Sequence, residues 1–385
     1  MKILHIAPNA TYNEGWSYQE NLLPRYQKRI GNEVCLVVSN REHHGKREEE
    51  VSCSDTITSD GFRVVRRAIH KTRIKKLTNN LSTIKVYDLL REFKPDMVFY
   101  HGLATSTMRQ VIRYKKKIAP NLVIVQDNHL DYNIGHKMDT LRGWILHEVE
   151  VFLQRRYTPY VSKIYGVTPW RKQYAIENYG VPANKTDILI MGADDEKIPF
   201  SERDKIRTKI REENKIKDND FLIVTGGRID QRKKIHYLMQ AVNRLNNVKL
   251  IIFGNVLEDV KEQFERELSN KVKWVGFIPA NKTYEYFVSA DLVFFPGQHS
   301  VLWEQACASK VPCVFEKWEG MEHVNNGGNS DFVSPVNIDT LSDKIEELHF
   351  TDKYYRMKQI AESEATDIYL YSKIAEKSLE CVRSC

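Results

Sequence analysis

Apolar runs of strand length alternate with helix-patterned segments along this whole chain, and the alternation halts once before it starts again. The first round runs KILHIA (2–7), the helical YQENLLPRYQKRI, EVCLVVS (33–39), FRVVRRA (62–68), the helical TIKVYDLLREF, DMVFYHG (96–102), a helix near 105–117 and NLVIVQ (121–126). It continues through a helical region at 140–157, KIYGVT (163–168), the helix WRKQYAIENYG and TDILIMGAD (186–194). A polar stretch, DDEKIPFSERDKIRTKIREENKIKDND, follows. The second round is FLIVT (221–225), a helix at 235–245, VKLIIFG (248–254), a helix at 257–269, VKWVGF (272–277), a helix at 282–289, DLVFFPG (291–297), a helix through 301–309, VPCVFE (311–316) and a helical region from 340. Such strands predict parallel sheets covered by helices on both faces, with ligands outside the carboxyl ends of the strands. At 385 residues the chain exceeds one ordinary core, since a domain takes about 150 residues. The expected fold class is therefore α/β, with two doubly wound domains in tandem facing a central cleft. The expected layout is a first domain at 1–190, a second at 191–365 and a C-terminal helix at 366–385 packing back on the first.

The second round opens on TGGRIDQRKKIHYLMQAV, residues 225 to 242, where a strand ends in glycines and two cations stand beside a new helix. Gly226 and Gly227 let the backbone turn tightly and approach a ligand. Amides at the helix start add partial positive charge. Arg228 can fork two donors onto phosphate oxygens, and Lys233 supplies a mobile point charge. The plainer alternative is a solvated basic turn, because Arg232 and Lys234 are cationic too.

Hydrophobic residues at 42% and charged residues at 28% are ordinary for a soluble globular protein. MKILHIAPNA is broken by His5 and Pro8, too short an apolar stretch for a signal peptide, and no apolar run approaches the roughly 18 residues of a membrane span. A cytoplasmic location is expected. Six cysteines without a CxxC pair or zinc spacing read as reduced structural thiols. Charge is uneven: residues 1 to 180 hold 29 Lys and Arg against 18 Asp and Glu, and the remainder hold 29 against 33. The basic clusters KTRIKK (71–76) and RYKKK (113–117) suit anionic lipid headgroups at the inner face of a membrane or an acidic acceptor, or else form a solvated face. No nucleic acid is expected, because the clusters lack interleaved exposed aromatics and no nucleic-acid module signature is present.

These segments together resemble the retaining glycosyltransferases with two Rossmann-like domains (GT-B), family 4 or group 1, over nearly the whole length. EGWSYQENLLP (14–24) with GNEVCLVVS resembles the family's glycine loop, first helix and second strand, and KPDMVFYHG (94–102) its P-D-v-v-h-x-H strand. GGRIDQRKK is similar to G-R-L-x-x-x-K-G, which implies Arg228 and Lys233 at the diphosphate, with Gly227 beside them; Lys234 replaces the usual glycine. VKWVGFIPANKTYEYFVSADLVFFPG resembles the base-contacting region and implies that Phe277 and Ile278 hold the nucleotide base. HSVLWEQACASKVPCVF resembles the E-x7-E region and implies that Glu304 takes the ribose hydroxyls, a task for which a carboxylate's two acceptors are suited. A capping box with Ser300 would place its acid at Trp303, which favours the ligand role for Glu304. Gly15 shapes a turn or admits a phosphate.

The chain departs from the family at one point. Pro296 stands where the first glutamate belongs and the loop PGQHS is shortened, so Gln298, His299, or amides near Ser300 and Val301 are left to contact the donor sugar. The family's N-domain histidine corresponds to Asp127 or His129 in VIVQDNHLD, with His101 behind them.

The resemblance implies transfer of a sugar from a nucleoside diphosphate sugar, a uridine one, to a glycan or lipid-linked hydroxyl for a cell-surface polysaccharide, with retention. No HExxH is present, and no DxD stands in the strand-end context expected of metal-dependent transferases. Neither a metal nor a cofactor is expected beyond the nucleotide sugar as co-substrate, and Arg228 and Lys233 are expected to neutralise the leaving diphosphate. A nucleotide-sugar epimerase or hydrolase of the same fold, or a non-catalytic anion-binding protein, would share the basic turn. Turnover that requires an acceptor separates these readings.

Overall fold

The computed structural model describes residues 1–44, 47–70, 83–133 and 140–383. The cluster at 71–76 lies outside them. Two compact units form, Met1–Ile190 with Ile374–Cys385, and Met191–Lys373.

Unit 1 contains β1 (Lys2–Ala7), α1 (Gln19–Arg29), β2 (Glu33–Ser39), the hairpin β3 (Arg41–His44) and β4 (Arg47–Glu50), β5 (Ser54–Ile57) and β6 (Arg63–Arg67). It continues with α2 (Tyr87–Phe93), β7 (Met97–His101), α3 (Met108–Lys117), β8 (Val123–Asn128), α4 (Leu141–Tyr157), β9 (Lys163–Gly166), α5 (Pro169–Tyr179) and β10 (Thr186–Ile188). Its sheet runs β10-β9-β8-β7-β1-β2-β6-β5, parallel except for the antiparallel edge strand β5. Ile3, Leu4 and Ile6 in β1 and Val98, Phe99 and Tyr100 in β7 are wholly buried, as strands covered on both faces require. The strand order reverses between β1 and β7, where a doubly wound sheet opens a crevice beyond its carboxyl ends. His101, the last residue of β7, pairs in register with Asp127 of β8.

Unit 2 contains α6 (Arg203–Glu213), β11 (Phe221–Gly226), α7 (Ile235–Arg244), β12 (Val248–Phe253), α8 (Lys261–Arg266), β13 (Val272–Trp274) and α9 (Ala280–Ser289). After these come β14 (Leu292–Phe295), α10 (Leu302–Ala308), β15 (Cys313–Glu316), β16 (Ser330–Val333), α11 (Ile338–Leu348) and α12 (Asp352–Glu362). The chain ends with α13 (Tyr371–Ser378) and α14 (Glu380–Arg383). The sheet order is β13-β12-β11-β14-β15-β16, all parallel. Its reversal lies between β11 and β14, so the Arg228 turn and the PGQHS loop leave neighbouring strands at the same edge. The return to unit 1 begins at Ile374 rather than 366. Ala193 exchanges backbone hydrogen bonds with Tyr369 and Tyr371, which keeps the intervening turn in unit 2. Among the described residues, no helix is long and apolar enough to cross a membrane.

Candidate functional site

In unit 2 the candidate residues begin at the glycine turn. Gly227 has φ +109°, and Gly254 at the end of β12 comes so close that a Cβ on it would lie 1.8 Å from the Gly227 carbonyl oxygen. Only glycine fits that approach. The four cations that follow have separate fates. Arg232 pairs with Asp230 at 2.6 Å, and Lys234 pairs with Glu316. Lys233 Nζ donates to the Gln298 carbonyl at 2.5 Å, with the His299 carbonyl at 3.5 Å. Arg228 is exposed and has no hydrogen-bond or ion-pair partner among the described residues.

Burial lowers the Lys233 pKa to about 8, with nearby Arg232 adding to the effect and Asp230 opposing it. Lys234, in the family's glycine position, has φ +53°. A left-handed backbone explains why glycine suits that place. The shortened loop is tied to the same turn, since the Gln298 amide donates to the Arg232 carbonyl at 3.0 Å. A Cβ on Gly297 would sit 2.3 Å from that carbonyl oxygen. Loop and turn are thus one structure, which sequence spacing did not show.

Glu304, in the first turn of α10, is wholly buried. Its Oε1 receives Nε2 of His299 at 2.9 Å and Nε2 of His323 at 2.8 Å, while Oε2 is buried with no hydrogen-bond partner. Burial alone would raise this carboxyl pKa. The two imidazoles outweigh it and hold the group well below the ordinary carboxylate range. Ligand atoms of His299, Glu304 and His323 lie within 4.8 Å of one another, close enough to share a cation. The two Nε2 contacts to one oxygen are hydrogen-bond distances, and they lock the carboxylate in orientation.

The other expected donor contacts lie around this centre in sequence and along the strand ends. Ser300 and Val301 immediately precede α10 and are half-buried; the Ser300 carbonyl accepts the Trp303 amide. Phe277 is 69% exposed, and Ile278 is half-buried. They follow Gly276, whose carbonyl accepts the Gly254 amide at 2.7 Å. His323 was not anticipated. It lies beyond β15 and shares no local spacing with Glu304, so no periodicity pointed to it.

In unit 1 the expected candidates join a buried chain of polar groups. His5 Nε2 meets Gln27 Oε1 at 2.6 Å, His5 Nδ1 meets His101 Nε2 at 3.1 Å, and His101 Nδ1 meets Asp127 Oδ2 at 2.7 Å. Gln27 in turn donates to the Ser378 hydroxyl at 2.8 Å. The chain is consistent with one proton arrangement. A neutral His5 donates to the Gln27 carbonyl oxygen and accepts from His101, which therefore donates from both ring nitrogens.

The pKa directions agree with that arrangement. Burial, then the neighbouring His101, lowers His5 to about 3. Burial would also lower His101, but Asp127 overrides it and leaves the imidazole raised. Asp127 itself would be raised by burial, yet His101 and His129 hold it well below the ordinary range. Its Oδ1 accepts the Gly102 amide at 2.8 Å, and His129 Nε2 lies 3.4 Å from Oδ2. Asp127 is wholly buried, whereas the His129 side chain is 35% exposed. His129 is the end of the chain that can meet a ligand. Gly15, with φ +82° and open space around it, shapes the turn between β1 and α1. The sequence signal for His5 was a histidine inside an otherwise apolar strand.

Family models match both halves of the chain: Glycosyltransferase Family 4 over residues 20–197 and Glycosyl transferases group 1 over residues 206–364. An uncharacterized glycosyltransferase of Methanocaldococcus jannaschii is 25% identical over 187 residues, 44% of this chain and 46% of that protein. A processive diacylglycerol alpha-glucosyltransferase of Acholeplasma laidlawii is 26% identical over 191 residues, 44% of this chain and 57% of its own length. The matched region spans about half the length of these curated relatives. In fold, the chain is similar to Anabaena HepE, solved in complex with UDP, at a TM-score of 0.69 and 19% identity with both chains covered in full. At that identity the likeness establishes the fold alone. The chain thus has the GT-B fold of two Rossmann-like units, the first matched by the Glycosyltransferase Family 4 model and the second by the Glycosyl transferases group 1 model.

Proposed function

We propose that the protein is a metal-independent, retaining transferase that moves a sugar from a uridine diphosphate sugar to a hydroxyl of a glycan or lipid-linked acceptor. The observation that carries this is Glu304, whose Oε1 is fixed by two imidazoles while Oε2 is buried and unpartnered. A buried carboxylate oxygen without a donor is costly, and a ribose hydroxyl is the donor that removes the cost. Among the described residues Arg228 has no hydrogen-bond or ion-pair partner, and half-buried Lys233 follows it in the same turn. Together they suit a diphosphate. The uridine assignment draws on the likeness to HepE, which was solved with UDP and with UDP-glucose.

The reaction follows from these roles. The acceptor hydroxyl adds to the anomeric carbon on the face from which the diphosphate departs, through an oxocarbenium-like state. The C–O bond to the diphosphate breaks, and the departing phosphate oxygen takes the acceptor proton. Arg228 and Lys233 stabilise the charge that develops on the diphosphate. Phe277 and Ile278 take the base, while His299, Ser300 and Val301 face the sugar from the shortened loop. His129 is the side chain of unit 1 to which we assign a role in the transfer. Asp127 sets the charge of His101 from behind, as a positioning residue.

The basic first unit also supports a cytoplasmic protein in peripheral contact with an anionic membrane face, where exposed Leu141, Trp144 and Ile145 of α4 would add apolar contact. The test is incubation with a panel of nucleotide sugars, with and without an acceptor hydroxyl and a chelator. Acceptor-dependent release of UDP, indifferent to chelator, with a product of the donor's anomeric configuration by NMR, is expected. Sugar isomerisation, or loss of turnover with chelator, overturns the reading.

A further inference from the structure

Unit 1 contains a cavity of about 720 Å³ between α3 and α4, within the size range of small-ligand pockets. One wall is Arg109, Ile112, Arg113, Lys116 and Lys117 of α3, and the other is formed by the end of α4 and the turn after it, including Phe152, Arg156, Tyr157 and Tyr160. Five cations line it and no carboxylate does. In a βα unit the helix runs back along its strand. The C-terminal turns of α3 and α4 therefore lie toward the amino edge of the sheet, opposite the carboxyl edge that carries His101 and Asp127.

Several arginines elsewhere in this unit are neutralised by carboxylates. Arg63 pairs with both Asp55 and Glu92, and Arg41 pairs with Glu48. Among the described residues, none of the five cavity cations has a carboxylate partner. Four of them are steadied by aromatic side chains instead. The Arg113 guanidinium lies 5.0 Å from the Tyr87 centroid, Lys116 Nζ 4.3 Å from that of Tyr160 and Arg156 5.6 Å from that of Phe152. Arg109 Nε donates to the Tyr157 hydroxyl at 3.3 Å.

Such contacts order the cations without neutralising them. The helix dipole explains lysines in the last turn of α3, but it opposes Arg109, which stands in a first turn that has no acidic residue. A row of cations kept in place against mutual repulsion, around a concave space with aromatic walls, fits an anion with several charges.

We propose that this cavity binds a phosphorylated group carrying at least two negative charges, at a site separate from the nucleotide centre of unit 2. Two sources share that chemistry, a free phosphorylated compound and a lipid headgroup. The test uses the full chain with inorganic pyrophosphate as the soluble probe, titrated calorimetrically under saturating uridine diphosphate. In parallel, flotation is run with vesicles of phosphatidylinositol 4-phosphate in phosphatidylcholine and with phosphatidylcholine alone. The variant pair is Arg113→Gln with Lys116→Gln, which keeps much of each aliphatic stem. The control pair is the exposed Lys205→Gln with Lys209→Gln of α6.

Pyrophosphate binding that persists with uridine diphosphate present, and weakens at least about tenfold in the first pair only, supports the site and a free ligand. Vesicle binding that depends on phosphatidylinositol 4-phosphate and is lost in the first pair only, without pyrophosphate binding, supports it with a lipid headgroup as the source. Displacement by uridine diphosphate, equal loss in both pairs, or binding to neither probe overturns it. If the first pair melts early, the charge-keeping exchange of Arg113→Lys with Lys116→Arg must bind like the unaltered chain for the proposal to stand.

Discussion

Each unit buries one carboxylate among histidines at the carboxyl edge of its sheet, and the two carboxylates are finished differently. Asp127 has both oxygens engaged inside the protein, by His101, by the Gly102 amide and by the approach of His129. Glu304 has one oxygen engaged twice and the other not at all. Burial and depressed pKa are common to both and so do not separate a structural acid from one that reads a ligand. What separates them is the acceptor left over. Asp127 organises its surroundings, whereas Glu304 is itself organised and has an oxygen to offer.

That contrast is broken or sharpened first by Asp127→Ala. Its removal strands the His101 charge in a buried place, and such a loss costs about 3–5 kcal/mol. Urea unfolding should show it, and a cost below about 1 kcal/mol would put Asp127 on the same footing as a surface acid. Glu304→Gln keeps an oxygen acceptor and should weaken uridine diphosphate by about 1.5–3 kcal/mol in calorimetry. Its unfolding cost should be smaller than that of Asp127→Ala. Arg228→Ala should lose a similar amount of nucleotide affinity while leaving unfolding within about 0.5 kcal/mol, because the side chain is exposed and touches no partner. Loss of stability without loss of affinity would make Arg228 structural.

A smaller effect concerns pH. Lys233 has a pKa lowered to about 8, so in the free protein it is charged below that pH and neutral above it. Diphosphate affinity should fall as pH rises through about 8, by at most about tenfold per unit. Lys233→Met should flatten that part of the profile. For stability the carboxylates set the acid side. Both are held below their ordinary range, so their contribution is whole above the unfolded value of about 4 and is lost as pH falls below it. Least of all should be Lys234→Gly, where relief of a positive φ, worth about 1 kcal/mol, opposes loss of the Glu316 pair. Its unfolding energy should stay within about 1 kcal/mol of the original.

The two rounds of apolar strands were legible because parallel strands buried on both faces write themselves as unbroken apolar runs. The helix α6 was not, since Ile206 and Ile210 are scattered among charges and the segment reads as a polar linker. The hairpin of β3 and β4, REHH and REEE, has no apolar alternation to show. At the site, Arg228, Lys233 and Glu304 were legible through local spacing. The pairing of Arg232 with Asp230 and of Lys234 with Glu316, which leaves Arg228 as the unpaired cation, depends on side-chain geometry that spacing does not encode. His323 reaches Glu304 from across a strand, and only the folded sheet brings them together.

The central claim is that the free oxygen of Glu304 reads the ribose diol, and a double-mutant cycle tests it directly. Affinities of uridine diphosphate and its 2′,3′-dideoxy analogue are measured for the unaltered chain and for Glu304→Gln. The account expects the analogue to bind the unaltered chain about tenfold or more weakly, with little further loss in the variant. Equal losses for both proteins, or no loss for either, would contradict it.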